Sequence, residues 1–340
     1  MTLLRRALQS FGRVKLMAGP TPIQRLRRLE DALQTEAAIY VKRDDLMGIG
    51  GGGNKLRKLE FLLGDALYRG CDSFITTGGI QSNHARLSAA AAAHAGIACE
   101  LVLTHTVKRD DEDYLCSGNI FLDRLFGAQV HERPGDVDAL VVATKRADEL
   151  RVAGRKPYVV GLGGSSPIGC LGYAACAAEI LEQEVESNTI FTDIVIPSGS
   201  FGTHAGLVAG LALARRDPAR VHAYTVLAPR HVAHPKTVEL AQVTLALLGS
   251  NSLVVPASVR IDESQRGAGY GIVTDAMIEA VTLMARTEGL LLDPVYSGKA
   301  FAGVIHAVQT GDLMKGSSVL FLMTGGTPGL FAYRRSFSDR

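Results

Sequence analysis

Lys55 follows four consecutive glycines, Gly50 to Gly53, and is itself followed by Arg57 and Lys58. Glycine lets a backbone come close to a ligand. Leu56, Leu59, Leu62, Leu63, Ala66 and Leu67 recur at helical spacing, which puts Lys55 at a helix start. A cation there opposes the helix dipole and has its pKa lowered, and a lysine made partly neutral can form a Schiff base with an aldehyde. The same three basic residues would also make a solvated helix face.

A second stretch, Pro197-Ser-Gly-Ser-Phe-Gly-Thr-His-Ala-Gly206, reads as strand, small-residue turn and helix start. Backbone N–H groups in such a turn, Gly199 to Thr203, bind a phosphate with the help of the helix dipole. It has neither the Walker spacing nor G-x-G-x-x-G, and a tight connection is the plainer reading. In Gln81-Ser82-Asn83-His84 a serine or asparagine at a helix start is either an N-cap or, with the adjoining amides, a clamp for a carboxylate. His84 is a general base or a structural helix histidine. Tyr270 and Tyr296 sit in glycine-flanked loops, where a phenol can pass a proton or simply pack.

The elements that would position these groups alternate between short β-branched runs and longer helical patterns. Strands are expected at 39–42, 73–77, 98–104, near Val130, at 157–160, 193–197 and 319–323. Helices are expected from Leu56, at 83–95, 119–126, 136–152 and 173–184, and from Thr203. This is the pattern of an α/β chain with parallel sheets, in which ligands bind at the carboxyl ends of the strands. The glycine-rich turns fall there. The polar stretches 108–113 and 260–266 read as surface loops.

A chain of 340 residues fits two domains, or one with an inserted lobe. With 36 Lys and Arg against 34 Asp and Glu, the net charge of +2 offers no field to hold a polyanion, so nucleic acid is not an expected partner. No apolar run reaches the roughly 20 residues of a spanning helix, so no membrane partner is expected. Five cysteines without a C-x-x-C pair read as buried thiols in a reducing, cytoplasmic compartment, with no metal site. Arg5, Arg13 and Lys15 precede the first acidic residue, Glu30, either as a targeting segment or as a basic arm packed on the domain.

Together and in this order, five motifs carry a resemblance: Gly52-Gly-Asn-Lys55 with Arg57-Lys-Leu-Glu60, Gln81-Ser-Asn-His84, Gly199-Ser-Phe-Gly-Thr-His-Ala-Gly206, Asp293-Pro-Val-Tyr296 and Thr324-Gly-Gly-Thr-Pro328. The chain resembles the pyridoxal-phosphate enzymes of fold type II, the tryptophan synthase β-subunit-like group. Within that group it resembles the 1-aminocyclopropane-1-carboxylate deaminase and D-cysteine desulfhydrase family. The resemblance implies two open, twisted, mostly parallel sheets flanked by helices. It also implies a small domain at 59–165 inserted into a large one (1–58 and 166–340), a homodimer, and pyridoxal 5'-phosphate as cofactor.

By the same resemblance Lys55 would hold the cofactor covalently, and Lys58 with Gly199, Ser200, Gly202 and Thr203 would hold its phosphate. Asn83 would touch its phenolic oxygen. Ser82, Asn83 and His84 would take the substrate carboxylate, with Ser82 also counted among the catalytic groups, and Tyr270 and Tyr296 would flank the reacting carbon. Deaminases of the family carry Glu after the motif tyrosine and Leu before the late Gly-Gly. Ser297 and Thr324 stand there instead, as in the desulfhydrases, and would place a hydroxyl near the pyridine nitrogen. The expected reaction is therefore α,β-elimination on a small β-substituted amino acid, D-cysteine first. The alternatives are a ring-opening deaminase, a cysteate sulfo-lyase and a non-catalytic metabolite-binding protein. Ser166, Pro167 and Met323 depart from the family pattern at positions expected to face the pocket.

Overall fold

The computed structural model describes residues 2–313 and 315–338. Ten strands, β1 (Ile23–Arg25), β2 (Ala38–Arg43), β3 (Ser73–Gly79), β4 (Ala98–His105), β5 (Gln129–Pro134), β6 (Pro157–Val160), β7 (Asp193–Ser198), β8 (Val221–Thr225), β9 (Arg260–Asp262) and β10 (Ser318–Met323), form two sheets. One has six strands in the order β1-β2-β10-β7-β8-β9, and the other four in the order β5-β4-β3-β6. All pairs are parallel except β1 with β2. The expected α/β architecture of two mostly parallel sheets is the one observed.

Strand alternation explains why both faces of the large sheet are covered. Leu320 and Leu322 of β10 and Ile194 and Ile196 of β7 point into a core shared with the helices Pro167–Glu186 and Gly202–Leu213. Val319, Phe321, Met323 and Val195 point to the other side, against the helices Asp275–Glu288 and Ser297–Gln309. A strand buried on both faces must be apolar at every position, which is why β7 and β10 read as runs rather than alternations. Each such Leu, Ile or Phe contributes about 1.5–3 kcal/mol relative to exposure. The small sheet follows the same logic. Ile75 and Val102 meet Ala143, Ala147 and Leu150 of the helix Ala139–Val152, while Phe74 meets the helix Lys55–Tyr68 and Leu101 the helix Asn83–Ala95.

Some expectations need correction. The helix expected from Tyr173 begins at Pro167, because Pro is suited to a first turn and the Ser166 hydroxyl accepts from Gly169 N at 3.2 Å. Residues 260–262 are not loop but β9, paired with β8. Within 108–113, Asp111 caps a short helix, Glu112–Cys116. Cys99, Cys170 and Cys176 are buried, but Cys116 is exposed and Cys71 partly so. The basic leading segment packs on the domain: Leu4 and Leu8 enter the large core, Arg5 pairs with Glu182 and Arg13 with Glu60. Among the described residues no helix is long and apolar enough to cross a membrane.

Candidate active site

A cavity of about 320 Å³ opens where the carboxyl ends of β3, β4, β7 and β10 converge from the two sheets. Lys55, Ser82, Asn83, His84, Gly199, Ser200, Thr203, Tyr270, Tyr296 and Thr324 all line it. Gly202, in the turn, and Lys58, whose Nζ would lie 2.8 Å from a Cβ at Gly202, do not themselves line it, and neither does Ser297.

Lys55 is the first residue of its helix, presented by the glycine run. Gly52 makes that approach possible: it has φ +75°, and a Cβ there would lie 2.0 Å from Asp45 O. Arg86, buried on the helix Asn83–Ala95, donates to the carbonyls of Gly50 and Gly52 and fixes the run. Lys55 Nζ donates to Asn54 Oδ1 at 3.2 Å and stands 5.9 Å from the Tyr296 ring centroid. Among the described residues it has no carboxylate within ion-pair distance. Burial, then the neighbouring Lys58 charge, lower its pKa to about 7, with Asp293 opposing. Lys55 is thus half neutral near pH 7. In the cofactor-free protein its modification by an amine-selective reagent should rise with pH about a midpoint near 7. A midpoint at the ordinary lysine value of 10.5 would contradict this environment.

The solvated-face reading of the same helix fails on burial. Arg57 turns inward to a forked contact with Asp44, Nε to Oδ2 at 2.9 Å and Nη2 to Oδ1 at 2.7 Å, and reaches Glu179 as well. Burial works against ionisation of Glu179, but Arg57 and Lys42 outweigh it and hold the carboxyl at about 2. Lys58 is buried with no carboxylate beside it among the described residues. Its Nζ donates to Gly163 O at 3.0 Å and Ser165 Oγ at 3.1 Å, and burial lowers its pKa to about 8.

The turn after β7 meets Lys58 from the other side. The helix Gly202–Leu213 starts with no side-chain cap at its positive dipole end, although Gly202 N itself bonds Ser200 O at 2.8 Å. The Ser198 hydroxyl is buried without a partner. Gly202 N donates to Ser165 Oγ at 3.2 Å, and that hydroxyl donates to Ser200 Oγ at 2.8 Å. A Cβ at Gly202 would lie 2.6 Å from Ser165 Oγ and 2.8 Å from Lys58 Nζ. An uncompensated cation, an uncapped helix start and three hydroxyls make a pocket for a dianion.

Ser82 is the N-cap of its helix, accepting from Ala85 N at 3.1 Å, and it also lines the cavity, so its hydroxyl proton remains to donate. Asn83 Oδ1 accepts from Asn119 Nδ2 at 3.0 Å, which fixes its amide. Thr76 Oγ1 donates to Val160 O, so His84 Nε2, 2.8 Å away, must be the donor of that pair. Burial and the charges of Lys55 and Lys58 push His84 well below its usual range, so it is a neutral ring.

Tyr270 and Tyr296 share a hydrogen bond, Oη to Oη, at 2.7 Å. Burial raises the pKa of both phenols, so both are protonated at neutral pH. Asp293 shapes the loop beneath them, accepting from Val295 N and Tyr296 N on one oxygen and from Ser297 N and Oγ on the other. The Ser297 hydroxyl, 2.6 Å from Asp293 Oδ2, is therefore spent on this turn rather than offered to the cavity. Ser166, Pro167 and Met323 also fail to reach it: the first two open a helix, and Met323 is buried in the large-sheet core. Site residues that sequence reasoning missed are Asn54, whose N donates to Thr324 O, Ser165, and Thr77, Thr104 and Leu140 on the small-sheet wall. Their signal was position alone, at strand ends or glycine-rich turns, except for Leu140, which lies on the helix Ala139–Val152.

Residues 14–325 match the family described as pyridoxal-phosphate dependent enzyme. The chain is 42% identical over 328 residues to a D-cysteine desulfhydrase of Salmonella typhi, covering 96% of this chain and 97% of that protein. It is also 42% identical over 330 residues to a D-cysteine desulfhydrase of Serratia proteamaculans (strain 568), covering 97% and 98%. An ACC deaminase homologue of known structure superposes with a TM-score of 0.87 at 37% identity, over 98% of both chains. An L-serine ammonia-lyase from Rhizomucor miehei, at 19% identity and a TM-score of 0.66 over 95% of this chain and 98% of that one, shares the fold. The chain belongs to the pyridoxal-phosphate dependent enzymes, and pyridoxal 5'-phosphate is its cofactor.

The residues present fit that group. The cavity suits a ligand of its size. Lys58, the Ser198 hydroxyl and the Gly199 to Thr203 turn match a phosphate dianion, and a partly neutral lysine faces the space where an aldehyde would lie.

Proposed function

We propose that the protein catalyses α,β-elimination from a small β-substituted amino acid, D-cysteine foremost, releasing pyruvate, sulfide and ammonia. Two relatives named for that activity match nearly the whole chain. The observation that carries the chemistry is Lys55, at a helix start in a cavity that also holds the Gly199 to Thr203 turn, with no carboxylate in ion-pair range among the described residues. Lys55 holds the cofactor, and Lys58 with Gly199, Ser200, Gly202 and Thr203 holds its phosphate. Asn83, its Oδ1 held by Asn119, would have Nδ2 to offer the cofactor's phenolic oxygen. When bound, the cofactor supplies the electron sink for negative charge at the substrate Cα.

The remaining steps belong to the protein. Ser82 and the adjoining amides orient the substrate carboxylate, while His84, whose one N–H is given to Thr76, shapes the wall behind them without offering it a donor. Lys55 Nζ, once the substrate's amino group has freed it, takes the Cα proton, as the only lysine among the described residues lining the cavity. The tyrosines are poor bases there, because burial keeps them protonated. Tyr296 Oη, backed by Tyr270, instead donates a proton to the departing sulfur. Asp138, an exposed helix cap, is the only carboxylate among the described residues lining the cavity, and Thr324 adds a hydroxyl. A hydroxyl rather than a carboxylate beside the pyridine nitrogen would leave it largely unprotonated, which would suit expulsion of a good leaving group better than ring opening.

The two sheets support a two-lobe division at 59–165 against 1–58 with 166–340, the helix Lys55–Tyr68 passing from one lobe to the other. We read the working form as a cytoplasmic homodimer. The test of function is a panel of D- and L-amino acids with thiol, sulfonate and chloride β-substituents, together with the cyclopropane amino acid, read as 2-oxo acid. Fastest turnover is expected on D-cysteine. Preference for the sulfonate or the cyclopropane would replace this reading with one of its rivals.

A further inference from the structure

We infer that Lys299 and Tyr333 are positioning residues that hold Tyr270 against Tyr296 by fixing the backbone on either side of it. The inference rests on the proposed role of the tyrosine pair and extends it to residues outside the cavity. Tyr270 lies in the irregular segment between β9 and the helix Asp275–Glu288, so regular structure does not place it. Lys299 is fully buried three positions after Tyr296, on the helix Ser297–Gln309. Its Nζ donates to Arg266 O at 2.7 Å and to Gly269 O at 3.0 Å. It has no carboxylate within ion-pair distance among the described residues. A buried ammonium is costly unless its hydrogen bonds are made, and here they are made to the loop that carries Tyr270.

Tyr333 closes the other side. It is buried, and its Oη donates to Gly271 O at 3.0 Å. Tyr333 is itself held, edge-on to Tyr114 with ring centroids 5.6 Å apart and under the Arg109 guanidinium at 4.6 Å. The carbonyls immediately before and after Tyr270 are thus each tied to a side chain that does not line the cavity. Because Lys299 and Tyr296 share one helix end, the Tyr270 loop is referenced to the element that carries its partner. That shared reference accounts for the 2.7 Å contact between the phenols.

The test is a double-mutant cycle on the holoenzyme. Lys299→Met keeps the aliphatic stem and removes the donors; Tyr333→Phe removes one hydroxyl and guards against misfolding of the first variant. Each should lower kcat by about 10- to 100-fold with little change in KM, the size expected of a misplaced reacting group. In a Tyr270→Phe background neither should lower kcat further. Backbone hydrogen exchange across 266–272 should quicken in both variants, with or without cofactor. Equal losses in the two backgrounds, or unchanged exchange in both variants, would overturn the clamp. If Tyr270→Phe alone leaves kcat intact, the proposed role of Tyr270 fails, and the exchange measurement decides the clamp by itself.

Discussion

Lys55→Ala abolishes turnover, with a loss of at least about 10³-fold, or about 4 kcal/mol of transition-state stabilisation. Lys55 is the only lysine among the described residues lining the cavity, so no second amine stands ready to replace it. Alanine is a good helix former, so the helix Lys55–Tyr68 should keep its start and Lys58 its position. Cofactor then remains bound through the phosphate contacts alone, without a covalent link. Borohydride reduction followed by peptide mapping checks both halves. Wild type should yield the modification on the Lys55 peptide and the variant should yield none. A reducible adduct persisting on another lysine would show that the nucleophile has been misassigned.

Gly202→Val should weaken cofactor binding by about 100-fold, close to 2.7 kcal/mol. The cause is steric. A Cβ at this position would already sit 2.8 Å from Lys58 Nζ and 2.6 Å from Ser165 Oγ, and valine adds two methyl groups in the same space. The variant therefore displaces the cation and the hydroxyl that the phosphate would meet, and it covers amides at the start of the helix Gly202–Leu213. Titration of cofactor into the apo-protein, followed by its visible absorbance, measures the effect, and the melting temperature of the apo-form controls for folding. Unchanged affinity in a well-folded variant would make this turn a simple connection between strand and helix.

The parts of the site legible in the sequence were those where local pattern and chemistry coincide. A lysine after four glycines and a small-residue turn between an apolar run and a helix each had a plainer local reading, but both meet in the cavity. Ser297 shows the limit. At a helix start a hydroxyl can face a ligand or close a turn, and only the position of Asp293 decides that it closes one. Lys58 and Arg57, adjacent in sequence, part company for the same kind of reason, since Asp44 and Glu179 lie on one side of their helix and the phosphate turn on the other.

Ser165 lies in a glycine-rich turn and Lys299 near a helix start, but no local pattern gave their roles, because each acts through carbonyls, amides or hydroxyls distant in the chain. The fold class was readable because β7 and β10 are apolar on both faces. The edge strands β1 and β9 are three residues each, too short to show a period against the loops around them.

Elimination is tested most directly by the stoichiometry of products from D-cysteine with the holoenzyme. Sulfide, pyruvate and ammonia should appear in equal amounts and at equal rates, and all three should vanish together in Lys55→Ala. Pyruvate without sulfide, or no turnover of D-cysteine by a holoenzyme that opens the cyclopropane ring to 2-oxobutanoate, would contradict it.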